Sequence, residues 1–288
     1  MTLNTTDLQS SAVANPSGRE LSLGVLRRHP QLTISPAILV ALLGLWWLAT
    51  HVFGVASYVL PAPENVFSAA IAGLSRAPWD KASYWYHAGV TVWEAVVGFA
   101  IGSALGALLG LALSHWPLLG KSWYPYIVGF QSLPKVALAP LMVVWFGFGL
   151  EGKVFITAII TFFPVLVNMM AGYQAVEPER IELARSCNAS ELHLLTKIII
   201  PSCLPFLFAG LGVAAVLSIL GAVVGEFVGA SAGLGMLLMQ YNQAMEIAPM
   251  FAIILLLAVI GFLLNHIVTL VERRYCFWAQ RTTASARP

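Results

Sequence analysis

The chain has 288 residues, of which 59% are hydrophobic and 10% are charged, and its formal net charge is +2. Soluble domains carry about 25% charged residues, so this composition excludes a soluble globular protein and indicates an integral membrane protein. The small net charge and the lack of a basic run with interleaved aromatic residues argue against a nucleic-acid partner. The three cysteines have no metal-ligand spacing, so we expect no metal site.

Six strongly apolar stretches follow a polar N-terminal segment, and each is long enough to cross a bilayer as a helix, which takes about 20 residues. The predicted fold is therefore all-α, with six transmembrane helices at about 34–53, 88–113, 123–146, 153–173, 202–225 and 248–270. Residues 1–33 are predicted to be a flexible tail, residues 34–272 the transmembrane domain, and residues 273–288 a second tail.

The positions of lysine and arginine predict the orientation of the chain, because these residues concentrate on the cytoplasmic side of membrane proteins. With the N-terminus inside, eleven of them fall on the cytoplasmic side and three, Arg76, Lys81 and Lys153, fall on the opposite side. Lys135 lies within a span and is not counted. Both termini are therefore predicted to be cytoplasmic, as is the charged stretch between the fourth and fifth spans.

The second predicted span carries a glycine at every fourth position, which places these glycines on one face of the helix. They are Gly98, Gly102, Gly106 and Gly110. Small residues let membrane helices approach closely, so this face is predicted to pack against another span. A sliding surface used in gating is an alternative interpretation of the same face.

The third predicted span is interrupted by Pro134 and Pro140, which cannot donate backbone hydrogen bonds. At membrane depth, a broken backbone is tolerated only where it is buried in protein or lines a cavity. The neighbouring polar residues Gln131, Ser132 and Lys135 are therefore candidates for a translocation path.

Glu94 and Lys135 are the two ionisable residues predicted to lie well inside spans, where each would be costly if it faced lipid. Both could line a translocation path, with Lys135 attracting an anionic group. Alternatively, they could form a structural ion pair between the second and third spans, or Lys135 could extend to a lipid headgroup. Glu226 ends the fifth predicted span, where it could anchor the following loop or take part in gating.

The stretch from Pro178 to Pro201 is the most polar part of the chain outside the N-terminal tail, and it lies between two apolar spans. Pro178 suits the first turn of a helix. The sequence Asn188-Ala189-Ser190-Glu191 is typical of an N-cap followed by an acid three residues later. We therefore predict two short helices with a break near Asn188, and a new span that starts at Pro201.

This stretch resembles the cytoplasmic loop of the inner-membrane permease subunits of bacterial ABC importers. The signature of that loop is Glu-Ala-Ala, three residues, Gly, nine residues and Ile-x-Leu-Pro. The matching residues are Glu182, Ala184, Ile198 and Pro201, and the departures are Leu183, Asn188 and Ile200. Asparagine tolerates left-handed backbone better than other non-glycine residues, so Asn188 can preserve the turn.

Two further runs resemble the nitrate, sulfonate, taurine and bicarbonate branch of these importers. The first extends from Ala137 through Trp145-Phe146-Gly147-Phe148-Gly149, and the second contains Glu226 and Gly233-Leu234-Gly235. The resemblance covers about residues 34–275. One position departs from the branch, because Glu94 stands where an arginine is often found.

The resemblance implies a permease of the type I importer fold that works as a homodimer in the inner membrane and is not itself an enzyme. Its partners would be an ATPase dimer, a second copy of the chain, a periplasmic solute-binding protein and the lipid bilayer. ATP and magnesium would bind to the ATPase, and this chain would bind no cofactor. The implied ATPase-coupling residues are Glu179, Arg180, Glu182, Ala184, Arg185, Asn188 and Glu191.

The substrate and two other classes of function stay open at this point. The branch implies a small anion such as nitrate, a sulfonate, taurine or bicarbonate, whereas Glu94 and Lys135 leave room for a pyrimidine-type heterocycle or an aromatic carboxylate. A self-sufficient secondary transporter would need coupling carboxylates at the midplane and usually internal repeats. A membrane enzyme is disfavoured, because no phosphate loop, paired-histidine or nucleophile motif is present.

Overall fold

The computed structural model describes residues 31–278, and every regular element in that range is helical. The α-helices are α1 (Gln31–His51), α2 (Pro63–Leu74), α3 (Tyr84–His115), α4 (Pro117–Ser132), α5 (Ala139–Phe146), α6 (Leu150–Gln174), α7 (Pro178–Ser186), α8 (Glu191–Leu194), α9 (Ile200–Phe227), α10 (Leu234–Gln243) and α11 (Ile247–Tyr275). Most of the two predicted tails, residues 1–30 and 279–288, lies outside the described residues.

The described chain divides into two compact units, one ending at Pro63 and the other starting at Glu64. In the first unit, α1 is followed by a turn that is tied back to the helix, because the indole Nε1 of Trp46 donates a hydrogen bond to the carbonyl oxygen of Pro61 at 3.0 Å. The second unit contains α3 to α11 and all the residues discussed below as functional candidates.

Four helices in the described part of the chain are long and apolar enough to cross a membrane. They are α3, α6, α11 and the continuous helix Glu191–Phe227, and a fifth span results if α4 and Lys135–Phe146 are counted together. The apolar part of α1, Pro36–His51, is shorter than these. The all-helical membrane fold is therefore confirmed with four or five such spans, and the sixth span stays a prediction.

The glycine face of α3 packs directly against α6. A Cβ atom added at Gly102 would overlap the Thr161 hydroxyl group and the carbonyl oxygen of Ala158, and one added at Gly106 would lie 2.5 Å from the carbonyl oxygen of Phe162. Because two of these obstacles are backbone atoms, they cannot move aside as a flexible side chain would. The prediction that these glycines pack against another span agrees with this arrangement.

The break predicted in the third span is present, and it falls at Pro134. Helix α4 ends at Ser132, a short 3₁₀ turn follows at Lys135–Leu138, and the two helical parts are bent by 78°. Pro140 instead lies in the first turn of α5, where a missing backbone N–H breaks no helical hydrogen bond. One of the two prolines therefore bends the segment and the other starts a helix.

The α-helical part of the fifth span starts at Ile200, with Pro201 in its first turn close to the predicted start, but no break separates it from the short helix before it. The helix is continuous from Glu191 to Phe227 and passes through a π-helical turn at Leu195–Ile199. Pro201 cannot donate the usual bond to the residue four positions earlier. A wider π-helical turn immediately before the proline re-spaces the backbone hydrogen bonds and lets the helix continue.

We predict that Gly102→Leu destabilises the protein because the added side chain meets the backbone of α6. Overpacking of this kind costs about 1–3 kcal/mol. Thermal unfolding of the purified protein in detergent measures the loss. The matched control is Gly89→Leu on the same helix, where a Cβ atom has open space. Equal melting temperatures for the two variants would contradict the assigned packing of α3 on α6.

Candidate functional site

The stretch predicted to couple to an ATPase forms a helix with an exposed outer face. Pro178 lies in the first turn of α7, as predicted, and no residue of α7 is buried. The exposed residues include the charged groups Glu179, Arg180, Glu182 and Arg185. Leu183 and Leu192 are also 67% and 70% exposed, respectively. Exposed leucines beside charged residues are typical of a surface that a protein partner covers.

The break after α7 is a tight turn made by Asn188. Its φ angle is +58°, in the left-handed region, so asparagine does take the place of glycine here. The N–H of Ala189 donates to the carbonyl oxygen of Ala184 at 3.1 Å, and the N–H of Asn188 donates to that of Arg185 at 2.9 Å. These two bonds define a Schellman motif, which ends the helix and turns the chain.

The next helix is capped by Ser190, not by Asn188. The hydroxyl oxygen of Ser190 accepts a hydrogen bond from the N–H of His193 at 3.3 Å. The prediction of two helices with a break near Asn188 is therefore confirmed, but the N-cap was assigned two residues too early. Asn188 cannot cap α8, because its left-handed conformation closes α7 instead.

The inner face of the coupling stretch is anchored to the bundle. Ile181 and Ala184 pack against a buried cluster formed by Met169 of α6, Leu194 and Ile199 at the start of the fifth span, and Cys203 of α9. An exposed ion pair, Arg185 to Glu191 at 3.2 Å, joins the two short helices. Such surface pairs contribute 1 kcal/mol or less, so the apolar contacts are the main attachment to α6 and α9.

The residues proposed for a translocation path lie in two separate places. Gln131, Ser132 and Lys135 lie together at the break between α4 and α5. The ammonium group of Lys135 donates to the carbonyl oxygen of Gln131 at 2.9 Å and lies 4.9 Å from the centre of the Phe163 ring. Glu94 is elsewhere, because its carboxylate pairs with Lys153 of α6. The suggested ion pair between Glu94 and Lys135 is therefore wrong.

Glu94 belongs to a buried polar cluster at the end of the bundle opposite the coupling stretch. Its other charged members are Lys153 in the first turn of α6 and Glu226 near the end of α9. Glu94 and Glu226 are 0% and 1% exposed, and the side chain of Lys153 is 12% exposed. Three helices thus place two acids and one base side by side in the interior. Lys153 was counted with the external charges, but its ammonium group points into the bundle.

Glu226 holds the segment that follows α9. Its Oε1 accepts a hydrogen bond from the Thr91 hydroxyl group at 2.7 Å, and its Oε2 accepts one from the N–H of Gly235 at 2.5 Å. The Thr91 oxygen in turn accepts a hydrogen bond from the N–H of Leu234 at 2.8 Å. Of the two interpretations offered for Glu226, loop anchoring is the one that this geometry supports.

His87 completes the attachment of the same segment to α3. Its Nδ1 accepts a hydrogen bond from the N–H of Gly233 at 3.0 Å, and its Nε2 lies 2.8 Å from the carbonyl oxygen of Lys81. An acceptor at Nδ1 and a donor at Nε2 require the neutral ring with its proton on Nε2. Consecutive backbone N–H groups from Gly233 to Gly235 are therefore all satisfied by buried side chains.

The Gly-Leu-Gly sequence is explained by its contact with Glu226. Gly233 has a φ angle of +123°, and a Cβ atom at this position would overlap the Glu226 carboxylate. A Cβ atom at Gly235 would lie 2.8 Å from Glu226 Oε2. The sequence indicated Glu226 and these glycines as a motif. No pattern in the sequence distinguished Thr91, His87 or Lys153 from other residues of the same helices.

Comparison with known proteins agrees with this architecture. Residues 102–275 match the family described as the binding-protein-dependent transport system inner membrane component. A putative aliphatic sulfonates transport permease protein of Escherichia coli is 32% identical over 86% of this chain and 92% of its own length. A formylaminopyrimidine transport permease protein of Halalkalibacterium halodurans is 30% identical over 82% of this chain and 93% of its own length.

The fold itself is similar to that of a solved methionine ABC transporter in an inward-facing conformation. The TM-score is 0.55 at 20% identity, over 74% of this chain and 98% of the other. The class defined by these findings is the ABC importer permease. The chain belongs to the family of binding-protein-dependent inner membrane components, and the permeases similar to it include sulfonate and taurine permeases. It is a multi-pass, non-catalytic subunit, and ATP hydrolysis belongs to a separate ATPase subunit.

We predict that Thr91→Val loosens the segment after α9, although the two side chains have the same shape. The substitution leaves the N–H of Leu234 without an acceptor and removes one donor from Glu226, at a cost of about 1–3 kcal/mol for each unsatisfied buried group. Hydrogen exchange at residues 228–235 should therefore become faster. Thr196→Val, which changes an exposed threonine bonded only to its own helix, should have no such effect. Equal exchange rates in both variants would contradict the network.

Proposed function

We propose that two copies of this chain enclose the translocation path of an ATP-driven importer for a small solute. In this proposal each copy has six spans, both termini are cytoplasmic, and the stretch from Pro178 to Pro201 faces the ATPase. The observation that carries it is the two-sided character of this stretch. Its outer face is polar and exposed, and its inner face packs on the ends of two long helices of the bundle.

The coupling residues have different tasks in this proposal. Glu179, Arg180, Glu182 and Arg185 present charges to the ATPase, and the exposed Leu183 gives that surface an apolar contact. Ala184 packs inward, and Asn188 and Glu191 hold the turn to the following helix. When the ATPase subunits close, they would move this stretch as a unit. Helices α6 and α9 would carry the movement towards the opposite face, as expected of a two-state rigid-body change.

The partners follow from the family and from the residues that this chain contains. We expect a periplasmic binding protein to deliver the solute, since the family is named for transport systems that depend on a binding protein. ATP and magnesium would bind to the ATPase dimer, because this sequence has no Gly-rich phosphate loop. The cytoplasmic orientation of the coupling stretch is supported by the excess of lysine and arginine on that side.

The proposed solute is a small anion of the sulfonate type. Gln131, Ser132 and Lys135 remain the candidate path residues, because they lie at the broken helix and are not buried. Glu94 is fully buried and ion-paired, so we do not assign it to the path. The second candidate is a pyrimidine-type heterocycle, which the similarity to a formylaminopyrimidine permease favours.

Co-purification tests the proposal directly. The chain is expressed with the ATPase and binding protein encoded beside it, and ATP hydrolysis is measured in lipid nanodiscs with each candidate solute. We expect a complex of two permeases and two ATPases whose hydrolysis rises with solute-loaded binding protein. A chain that purifies without an ATPase and moves solute down an ion gradient would overturn the importer assignment and favour a secondary transporter.

We predict that Glu182→Lys abolishes ATPase-coupled transport without preventing membrane insertion. The Glu182 side chain is exposed and forms no ion pair among the described residues, so reversing its charge should not unfold the protein. It would place a cation where the ATPase surface is expected to receive an anion. Uptake of solute and protein level in the membrane are measured together.

The control for this variant is Glu151→Lys, an exposed charge reversal at the other end of α6. It should keep its transport activity. Normal uptake by Glu182→Lys at normal membrane levels would show that the stretch does not couple transport to the ATPase.

A further inference from the structure

Two cations at the predicted external end of the bundle lie beside the same cleft. Of the three lysine and arginine residues predicted to be external, Lys153 points into the bundle, where it pairs with Glu94. Arg76 and Lys81 are exposed instead, and both line a cleft with a volume of about 400 Å³. In the described part of the chain, the exposed lysine and arginine charge of this end is therefore concentrated at one place.

The cleft lies between the loop that follows α2 and the chain around the start of α10, and the buried ring of His87 fixes both sides. Its Nε2 donates to the carbonyl oxygen of Lys81 at 2.8 Å, and its Nδ1 accepts from the N–H of Gly233 at 3.0 Å. The guanidinium group of Arg76 closes its own loop by donating to the carbonyl oxygen of Ala82 at 3.2 Å. The two walls are thus tied to one side chain, and the cleft is preformed.

The lining of the cleft is complementary to a carboxylate. Neither Arg76 nor Lys81 forms an ion pair among the described residues, and none of the described residues that line the cleft is acidic. Asp80, between them in the sequence, accepts a hydrogen bond from the N–H of Ala82 at 2.9 Å. Side chains that can donate hydrogen bonds also line the cleft, namely Tyr86, Ser231, Gln240 and Tyr241. Two cations and several donors without a carboxylate form a site for an oxyanion.

The exposure of both cations favours an anion that belongs to a protein. Exposed charges attract a free ion only weakly, because water and salt screen them. A protein surface that covers the cleft excludes water and strengthens the same attraction. A carboxylate on such a surface is also held in place by the rest of the interface, whereas a free solute anion is not.

We propose that Arg76 and Lys81 receive an acidic side chain of the periplasmic solute-binding protein. The inference rests on the proposed function, which supplies the binding protein as the partner. The two cations attract the approaching protein at long range, and its carboxylate enters the cleft when it docks. Charges at the rim of an interface act mainly on the rate of association and make it dependent on salt.

The second wall of the cleft gives docking a connection to the rest of the bundle. Ser231 in this wall belongs to the short segment that Glu226 and His87 hold through the N–H groups of Gly235 and Gly233. A docked protein that presses on this wall therefore acts on α9. The same helix is continuous with the coupling stretch at its other end, so docking at the cleft has a covalent route to the ATPase side.

Charge reversal at Lys81 tests the cleft as a docking site. The Lys81 side chain is exposed and forms no hydrogen bond or ion pair among the described residues, since His87 uses only its backbone carbonyl. Lys81→Glu should therefore keep the melting temperature of the unmodified protein. The binding protein encoded beside the chain, loaded with solute, is bound to the permease–ATPase complex in nanodiscs, and biolayer interferometry measures its association. At about 50 mM NaCl the association rate should fall at least about tenfold, and at about 500 mM NaCl the difference should shrink.

Lys121→Glu is the matched control, because it reverses an exposed lysine at the opposite end of the bundle. It should associate like the unmodified complex. Replacing the acids of the binding protein by lysine, one at a time, should identify one that restores association with Lys81→Glu.

Equal association rates for Lys81→Glu and Lys121→Glu would overturn the proposal. It would also be overturned if Lys81→Glu lost binding of free ethanesulfonate but associated normally with the binding protein, because the cleft would then be a site for the solute. If the unmodified complex does not associate with the binding protein at all, the importer assignment itself fails together with this inference.

Discussion

A carboxyl group buried in a membrane bundle has to obtain all its hydrogen bonds from protein, and for Glu226 this requirement determines the path of the neighbouring backbone. Lipid cannot supply donors, so α3 contributes Thr91 and the returning chain contributes the N–H of Gly235. The backbone comes close enough only because Gly233 and Gly235 have no side chains. The conformation of the segment between α9 and α10 thus depends on one buried side chain.

Helices α6 and α9 connect this cluster with the coupling stretch. Lys153 lies in the first turn of α6, and Met169 near its other end packs under the coupling stretch. Likewise, Cys203 lies near the start of α9 and Glu226 near its end. A helix of 25 residues is roughly 35 Å long at 1.5 Å per residue. The glycine face of α3 adds a close backbone contact along α6. A displacement at one end of α6 would therefore be transmitted to its other end.

The surroundings of Glu94 explain why a glutamate stands at a position where the related branch often has an arginine. Glu94 pairs with Lys153 in the interior, so its negative charge is matched to a neighbouring side chain. It therefore has an explanation that does not involve the solute. A separate polar site lies at the break between α4 and α5, where Lys135 contacts Phe163 and Gln131.

Local features of the fold could be predicted from the sequence because their causes are local. Apolar runs mark the long helices, the fourfold glycine spacing marks a packing face, Pro134 marks a break, and Asn188 marks a left-handed turn. The same reasoning placed Pro201 near the start of a helix but did not predict that the preceding short helix continues into it, because whether a proline interrupts a helix depends on whether the preceding turn can widen. It also assigned the cap to Asn188, since Asn188 and Ser190 are both good capping residues and lie only two positions apart.

By itself, the sequence determined the membrane class, the position of the main helices and the two-helix coupling stretch. Only the tertiary structure decided that Glu94 pairs with Lys153, 59 residues away, and that Thr91 bonds to Glu226, 135 residues away. The physical reason is that hydropathy and turn chemistry act between near neighbours along the chain. A buried charge is instead satisfied by whichever side chains the packed helices bring beside it.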